Sequence, residues 1–220
     1  MASHPVMDII VRGGVVPIVR LPSLDRAEAL AQALIEAGVT SFEVTLTSPG
    51  ALETLHGLLE RLPSFADGTA AIGAGSIVSA AQAEAALDAG AQFIVTPVTY
   101  PEAIAVCVKR GAPIIPGALT PTEIQTAWDL GASAVKVFPA HHFGPVYLKD
   151  ILAPLPHLKL VPTGGITPQN AADYIRHGAV ALGAGSNLVN PKWVDAGDWQ
   201  AIGDAGRAYL AAVQAGRAKS

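Results

Sequence analysis

Gly131-Ala132-Ser133-Ala134-Val135-Lys136-Val137-Phe138-Pro139 is a glycine, a short apolar run with one lysine at its centre, and a proline stop. Its length and β-branched content predict a strand over Ala134–Phe138 rather than a helix. Side chains alternate along a strand, so Val135 and Val137 share one face while Ala134, Lys136 and Phe138 share the other. A lysine in such a run either snorkels to the strand end with its head in water, or stands in a cavity as a working amine.

The same punctuation recurs in both directions along the chain. Helix-like stretches end at Gly38, Gly90, Gly111, Gly131 and Gly178, each placed as a left-handed terminator. Strand-like runs follow at Ser41–Leu46, Gln92–Thr96, Pro113–Pro116, Ala134–Phe138 and Val180–Gly183. Val15–Arg20, Thr69–Gly73 and Lys159–Pro162 complete a set of eight, spaced every ~20–30 residues, the length of a strand and its crossover helix. Helix starts are marked as regularly. Ser48-Pro49 and Thr167-Pro168 offer a hydroxyl cap followed by proline, Thr120–Glu123 and Ser79–Gln82 read as capping boxes, and Asp25–Glu28 is the acidic equivalent. Asp198–Ala215 reads as the last outer helix.

Strands alternating with helices argue for a parallel sheet, and the continuous apolar character of the strands says that both faces are covered. Eight units in 220 residues predict one α/β domain over residues 1–220, folded as a single-domain (β/α)8 TIM barrel. Residues 1–14 are expected to supply an N-terminal helix, centred on Val6–Val11, that plugs the barrel floor. No G-x-G-x-x-G follows the first strand, which weighs against an open dinucleotide-binding sheet.

Half of the residues are apolar and 15% are charged, enough for one large aliphatic core. The net charge of −4 and the lack of a basic run argue against a nucleic-acid partner or a polybasic membrane surface. No apolar run is long enough to span a bilayer. Residues 1–20 carry Asp8 and Arg12 and lack the pattern of a signal peptide. Cys107 is the single cysteine, so no internal disulfide forms, which fits a reducing cytoplasm. It lies in the helix-like stretch Ala103–Lys109 and is expected to be a core residue.

A barrel keeps its chemistry at the carboxyl ends of its strands. The polar residues placed there are Arg20, Glu43 and Thr45 (on one strand face), Ser76, Thr96, Lys136, Thr163 and Ser186. Glycine-rich turns at Pro162–Ile166 and Gly183–Ser186 would let backbone N–H groups, backed by helix N-termini, approach a phosphate closely; tight turns alone are the other reading. Glu43 and Lys136 would face each other across the interior, as catalytic partners or as a structural ion pair. The other lysines are poorer candidates. Lys109 and Lys149 sit in helix-like stretches, Lys159 precedes a strand, Lys192 follows a turn and Lys219 is in the tail. Only Lys136 is enclosed by apolar neighbours, which disfavour an ammonium and free its lone pair. His141 and His142 read as loop residues, with no His-x-x-x-His or cysteine partner to hold a metal.

Taken in order, Phe42–Leu46, Gly73–Ser76, Phe93–Pro97, Pro116-Gly117, Lys136–Pro139, Pro162–Ile166 and Gly185-Ser186 resemble the 2-keto-3-deoxy-6-phosphogluconate aldolase family, from about Pro17 to Val189. The resemblance implies a trimeric class I aldolase with a (β/α)8 fold that uses no metal or other cofactor, its partners being a sugar-acid phosphate and pyruvate. It implies Lys136 as the Schiff-base lysine and Glu43 as general acid/base. Thr163, Gly164, Gly165, Gly185 and Ser186 would hold the phosphate, and Ser76, Pro97 and Phe138 the pyruvate, with Thr45 also counted among the substrate-binding residues. Many members carry arginine after the Thr-Leu of the second strand, where this chain has Thr47. Others carry it on the first strand, where Arg20 stands, and its planar fork suits a carboxylate. Ser48-Pro49 and His142–Pro145 resemble the 6-phosphogalactonate branch, whereas Pro162–Ile166 resembles the gluconate branch. Cleavage of 4-hydroxy-2-oxoglutarate, a phosphate-binding isomerase and a non-catalytic sugar-phosphate-binding trimer are the competing readings.

Overall fold

Short apolar strands separated by helices return to the same edge with the same direction, so they pair in parallel. In the computed structural model, which describes residues 4–218, the strands are β1 (Val15–Val19), β2 (Ser41–Thr45), β3 (Ala71–Gly75), β4 (Ile94–Val95), β5 (Ile114–Ile115), β6 (Gly117–Ala118), β7 (Val135–Val137), β8 (Leu160–Pro162) and β9 (Leu182–Ala184). The helices are α1 (Pro5–Gly13), α2 (Ala27–Glu36), α3 (Ala51–Arg61), α4 (Pro63–Ala66), α5 (Ala80–Asp88) and α6 (Pro101–Arg110), then α7 (Pro121–Asp129), α8 (Val146–Leu152), α9 (Pro168–Arg176), α10 (Pro191–Ala196) and α11 (Trp199–Arg217). Lys219 and the first three residues of the expected N-terminal helix lie outside the described residues.

One parallel sheet runs in the order β5-β4-β3-β2-β1-β9 and a second in the order β6-β7-β8. Between β5 and β6 stands Pro116, which has no N–H to donate. Its carbonyl accepts from Lys136, 2.8 Å away. The ladder thus steps across one residue from the first sheet to the second. On the far side, isolated parallel bridges join Leu160 to Ala179 and Thr163 to Gly183. The result is an α/β fold with a curled parallel sheet.

The two strand faces divide as period-two alternation requires. Val15, Val44, Ile72, Ile94, Ile114, Val135, Val137, Leu160 and Leu182 pack outward with the helices in the larger apolar cluster. Val16, Ala71, Val95, Ile115, Ala134 and Val161 point to the other side, where they cluster with Met7, Ile9 and Ile10 of α1. Ile10 is fully buried there, and each such aliphatic side chain contributes roughly 1.5–3 kcal/mol by leaving water.

All five glycines read as terminators, Gly38, Gly90, Gly111, Gly131 and Gly178, have positive φ. Thr120 and Glu123 form the expected reciprocal capping box of α7. Cys107 is buried in α6. Elsewhere the boundaries move. Ser48 does not cap α3: it is buried, its Oγ accepts the Leu21 N–H at 3.0 Å, and the helix opens at Ala51 behind Gly50. Nor does Asp25 cap α2, which opens at Ala27. Lys192 lies in the short helix α10, behind its Asn190 cap. The expected strands Thr69–Gly73 and Val180–Gly183 both slide towards the carboxyl end, to Ala71–Gly75 and Leu182–Ala184. Gly75, which the sequence places beyond the third strand, thus ends β3, and tertiary contact requires glycine within these strands. A Cβ on Gly73 would stand 2.6 Å from the Phe93 ring, and one on Gly183 would stand 3.0 Å from Thr163 Cβ. Among the described residues no helix is long and apolar enough to cross a membrane.

Candidate active site

Two positions beyond the α1-facing layer, the same strands present Ile18, Pro97, Lys136 and Thr163, which line a cavity of about 310 Å3. Lys136 reaches it from the middle of β7 and is only 6% exposed. Its alternation partners explain this: Ala134 lies below it in the apolar layer and Phe138 above it at the cavity mouth. The amine stands 5.3 Å from the Phe138 ring centroid, within reach of the ring's negative face. Lys136 is therefore not a snorkelling surface residue. Among the described residues it makes no ion pair within 4.0 Å, so the alternative of a structural ion pair with Glu43 is not formed.

Glu43, at the centre of β2, is 2% exposed, and its Oε1 has no hydrogen-bond partner among the described residues. A carboxylate oxygen left so is expensive unless something comes to meet it. Gly73 is its register partner in β3. Its side chain instead fills the space in front of Gly75. Thr45, on the same strand face, is not brought to the cavity. Its hydroxyl donates to the Val19 carbonyl and meets Thr47 Oγ1, each at 3.1 Å. The hydroxyl thereby ties β1 to β2, and Thr45 is not among the residues lining the cavity.

The cavity has a basic side and an N–H-rich side. On the first, Arg20 follows β1 and donates from Nη2 to Ser76 Oγ at 3.2 Å. Ser76 holds φ at +60°, an uncommon value for a residue with a Cβ. On the second, Gly164 and Gly165 have consecutive φ values of +95° and +71°, a path that only glycine follows without strain. A Cβ on Gly165 would also stand 2.5 Å from His141 Cβ. The N–H groups of Gly164, Gly165 and Ile166 have no acceptor among the described residues. Three successive free donors in such a turn form an anion-binding concavity.

Gly185 and Ser186, after β9, complete that side. No helix opens at this second turn, contrary to the sequence reading. The N–H groups of Leu188 and Val189 both donate to the Gly185 carbonyl at 2.9 Å, and α10 starts only at Pro191. The expected dipole contribution is therefore absent there. Sequence reading also missed Ile18, Ile166, Asn187 and Val189, all of which line the cavity. Asn187, next to Ser186, is the one with a legible signal.

Arg20 and Lys136 line the cavity and no aspartate or glutamate does, in a chain whose net charge is −4. Such a concentration of one sign marks a site for an anion. His141 and His142 lie exposed in the single turn Ala140–His142, their rings 4.0 Å apart. No group of three His, Cys, Asp or Glu among the described residues is arranged to hold a metal ion.

A family model described as KDPG and KHG aldolase matches residues 6–205, a span that includes every cavity residue. The chain belongs to the KDPG and KHG aldolase family. Within that family it is 37% identical to a 2-dehydro-3-deoxy-phosphogluconate aldolase of Treponema pallidum, over 90% of this chain and 92% of the relative. It is equally 37% identical to a 2-dehydro-3-deoxy-6-phosphogalactonate aldolase of Escherichia coli, over 79% of this chain and 83% of the relative. Among solved structures it is similar to a KDPG aldolase from Legionella pneumophila with pyruvate captured as a covalent carbinolamine. The TM-score is 0.85 and the identity 30%, covering 94% of this chain and 98% of that one.

Proposed function

We propose that this KDPG/KHG family member is a class I aldolase, a lyase that cleaves 2-keto-3-deoxy-6-phosphogluconate to pyruvate and D-glyceraldehyde 3-phosphate through a Schiff base on Lys136. One observation carries the reading: a nearly buried lysine stands in one cavity between an arginine and a turn of unpaired backbone N–H groups, with no carboxylate lining it. A substrate with an anion at each end and a ketone between them fits that order of groups.

The neutral amine of Lys136 adds to the C2 ketone, and loss of water from the carbinolamine leaves a protonated imine, an electron sink. Glu43, through a water, takes the proton of the C4 hydroxyl. Its unpaired, buried Oε1 supports this role. The C3–C4 bond breaks, its electron pair moves into the enamine, and the aldehyde leaves. Glu43 returns the proton to C3, and water then frees pyruvate and the lysine. Arg20, steadied by Ser76, grips the carboxylate of the pyruvate half, which Pro97 and Phe138 enclose. The N–H groups of Gly164 and Gly165, with Gly185, Ser186 and the Thr163 hydroxyl, hold the phosphate end. Fixing both ends places the ketone against the amine, and positioning of this kind accounts for a large share of such barriers.

The same reading takes the two sheets, joined by the bridges at Leu160 and Thr163, as one closed (β/α)8 barrel spanning a single domain, with α1 across its floor. It also takes the working unit as a cytoplasmic trimer without a metal. The test is reduction with borohydride in the presence of pyruvate. A three-carbon addition on Lys136 by peptide mass spectrometry is expected, and its absence from the Lys136→Ala variant. A label on any other lysine removes the assignment. A second reading, the C4-epimeric 6-phosphogalactonate, is favoured by the equal identity to the Escherichia coli galactonate enzyme. Cleavage rates on the two epimers separate the two.

A further inference from the structure

Three tyrosines outside the cavity end on backbone carbonyls of the loops above the sheet. Tyr147 donates to Leu119 at 2.5 Å, Tyr174 to Ala140 at 3.2 Å, and Tyr209 to Ile166 at 2.7 Å. Of these three carbonyls, only that of Ile166 belongs to a residue lining the cavity. It also accepts a second side-chain bond, from Asn187 Nδ2 at 3.1 Å. The preceding carbonyl, of Gly165, is held by Asn170 Nδ2 at 2.9 Å. Two successive acceptors of this turn are therefore tied to protein donors, while the N–H groups of Gly164, Gly165 and Ile166 are left without one.

We infer that Tyr209, on the outer helix α11, is a positioning residue for the anion site: with Asn187 it holds the Ile166 carbonyl turned away, so that the N–H groups of the Gly164–Ile166 turn remain presented to a phosphate. A planar peptide couples each carbonyl to the N–H of the next residue, so the Asn170 bond to the Gly165 carbonyl sets the Ile166 N–H directly. Tyr209 and Asn187 fix the following plane, that of the Ile166 carbonyl and the Thr167 N–H, and so anchor the end of the turn at the Ile166 Cα. Gly164 and Gly165 supply little stiffness of their own, because glycine populates more of φ/ψ space than any other residue. The constraint has to come from outside the turn. Asn187 supplies it from the neighbouring loop and ties the two turns together. Tyr209 supplies it from 43 residues further along the chain, on a helix packed against α9 and α2. Its ring is fully buried, and that burial raises the hydroxyl's pKa, so it remains a protonated donor at neutral pH. The inference rests on the reading of this side of the cavity as the phosphate subsite.

Tyr209→Phe keeps the ring and removes only the hydroxyl. The expected result is a KM for the phosphorylated substrate raised about fivefold, with competitive inhibition by inorganic phosphate weakened by a similar factor, the value of one hydrogen bond. The pyruvate concentration that half-saturates borohydride trapping should not move, because that end of the cavity does not depend on Ile166. A variant that only melts earlier, with both constants unchanged, overturns the inference, and so does equal weakening at the two ends. Should Tyr209→Phe fail to fold, Asn187→Ala approaches the same carbonyl from the other side and must weaken inorganic phosphate while sparing pyruvate trapping. A wild-type enzyme indifferent to phosphate would remove the phosphate subsite itself. A phosphate-sensitive wild type with an unchanged variant removes only the role of Tyr209.

Discussion

The carboxylate of Glu43 occupies the space that a side chain on Gly75 would need. A Cβ added at Gly75 would stand 2.5 Å from Glu43 Cγ and nearer still to the carboxyl group. The glycine is inside β3 and is held there by its neighbour's chemistry rather than by a turn. Gly75→Ala is therefore expected to push Glu43 aside. Overpacking of this kind destabilises by roughly 1–3 kcal/mol. A displacement near 1 Å at a reacting group lowers turnover by about a hundredfold. Steady-state cleavage and a thermal melt on one preparation check both. Full activity in the variant would mean that Glu43 does not act from where it lies.

Glu43→Gln keeps the volume and removes the base. Cleavage is expected to slow by about 10²–10⁴-fold, the usual contribution of a positioned general base. Imine formation on Lys136 needs no proton from C4, so borohydride trapping of pyruvate should persist. Single-turnover cleavage beside trapping yield distinguishes the two steps, and loss of trapping would place Glu43 earlier in the reaction.

Arg20→Lys retains the charge but loses the planar fork, and with it the paired approach to a carboxylate. The half-saturating pyruvate concentration in the trapping assay is expected to rise about tenfold, the value of a charge-assisted bond. Arg20 is exposed, so the melting temperature should hardly change. Unchanged pyruvate binding would detach Arg20 from the carboxylate.

Cys107 supplies a pH dependence. Burial pushes its thiol from an ordinary 9.0 up to about 12. Above pH 9 the unfolded chain releases this proton while the folded chain keeps it, so the unfolded state binds fewer protons and folding stability falls as pH rises from about 9 towards about 12. Chemical unfolding at pH 8 and pH 10 should show a larger loss for the wild type than for Cys107→Ala. The cavity left by the substitution is the same at both pH values and cancels, as do the buried tyrosines common to both proteins. Equal losses would mean that the thiol opens to solvent in the folded state.

Much of the repeating unit could be read without coordinates. Gly131 ends α7 and Val135 opens β7 because a left-handed terminator and a β-branched run are local matters, governed by a residue's own dihedral preferences. The burial of Lys136 was legible for a related reason: strand alternation ties its direction to that of Ala134 and Phe138. Ser48 shows where such reading ends. A serine before a proline is a sound helix start, yet the Leu21 N–H, on another strand connection, takes its hydroxyl. The partner of the Thr45 hydroxyl was equally invisible to local reading, since Val19 lies 26 residues away.

The chain's order of glycines, prolines and apolar runs by itself determined an α/β fold with a parallel sheet, the strand that carries the amine, and the two turns suited to an anion, because each depends on contacts within a few residues. Only the tertiary structure decided that Gly75 belongs to β3, that Glu43 stands behind it without an ion pair to Lys136, and that Asn187 and Tyr209 meet at Ile166. Those depend on which side chains arrive from distant segments to claim a given volume or a given acceptor, and no local preference encodes that.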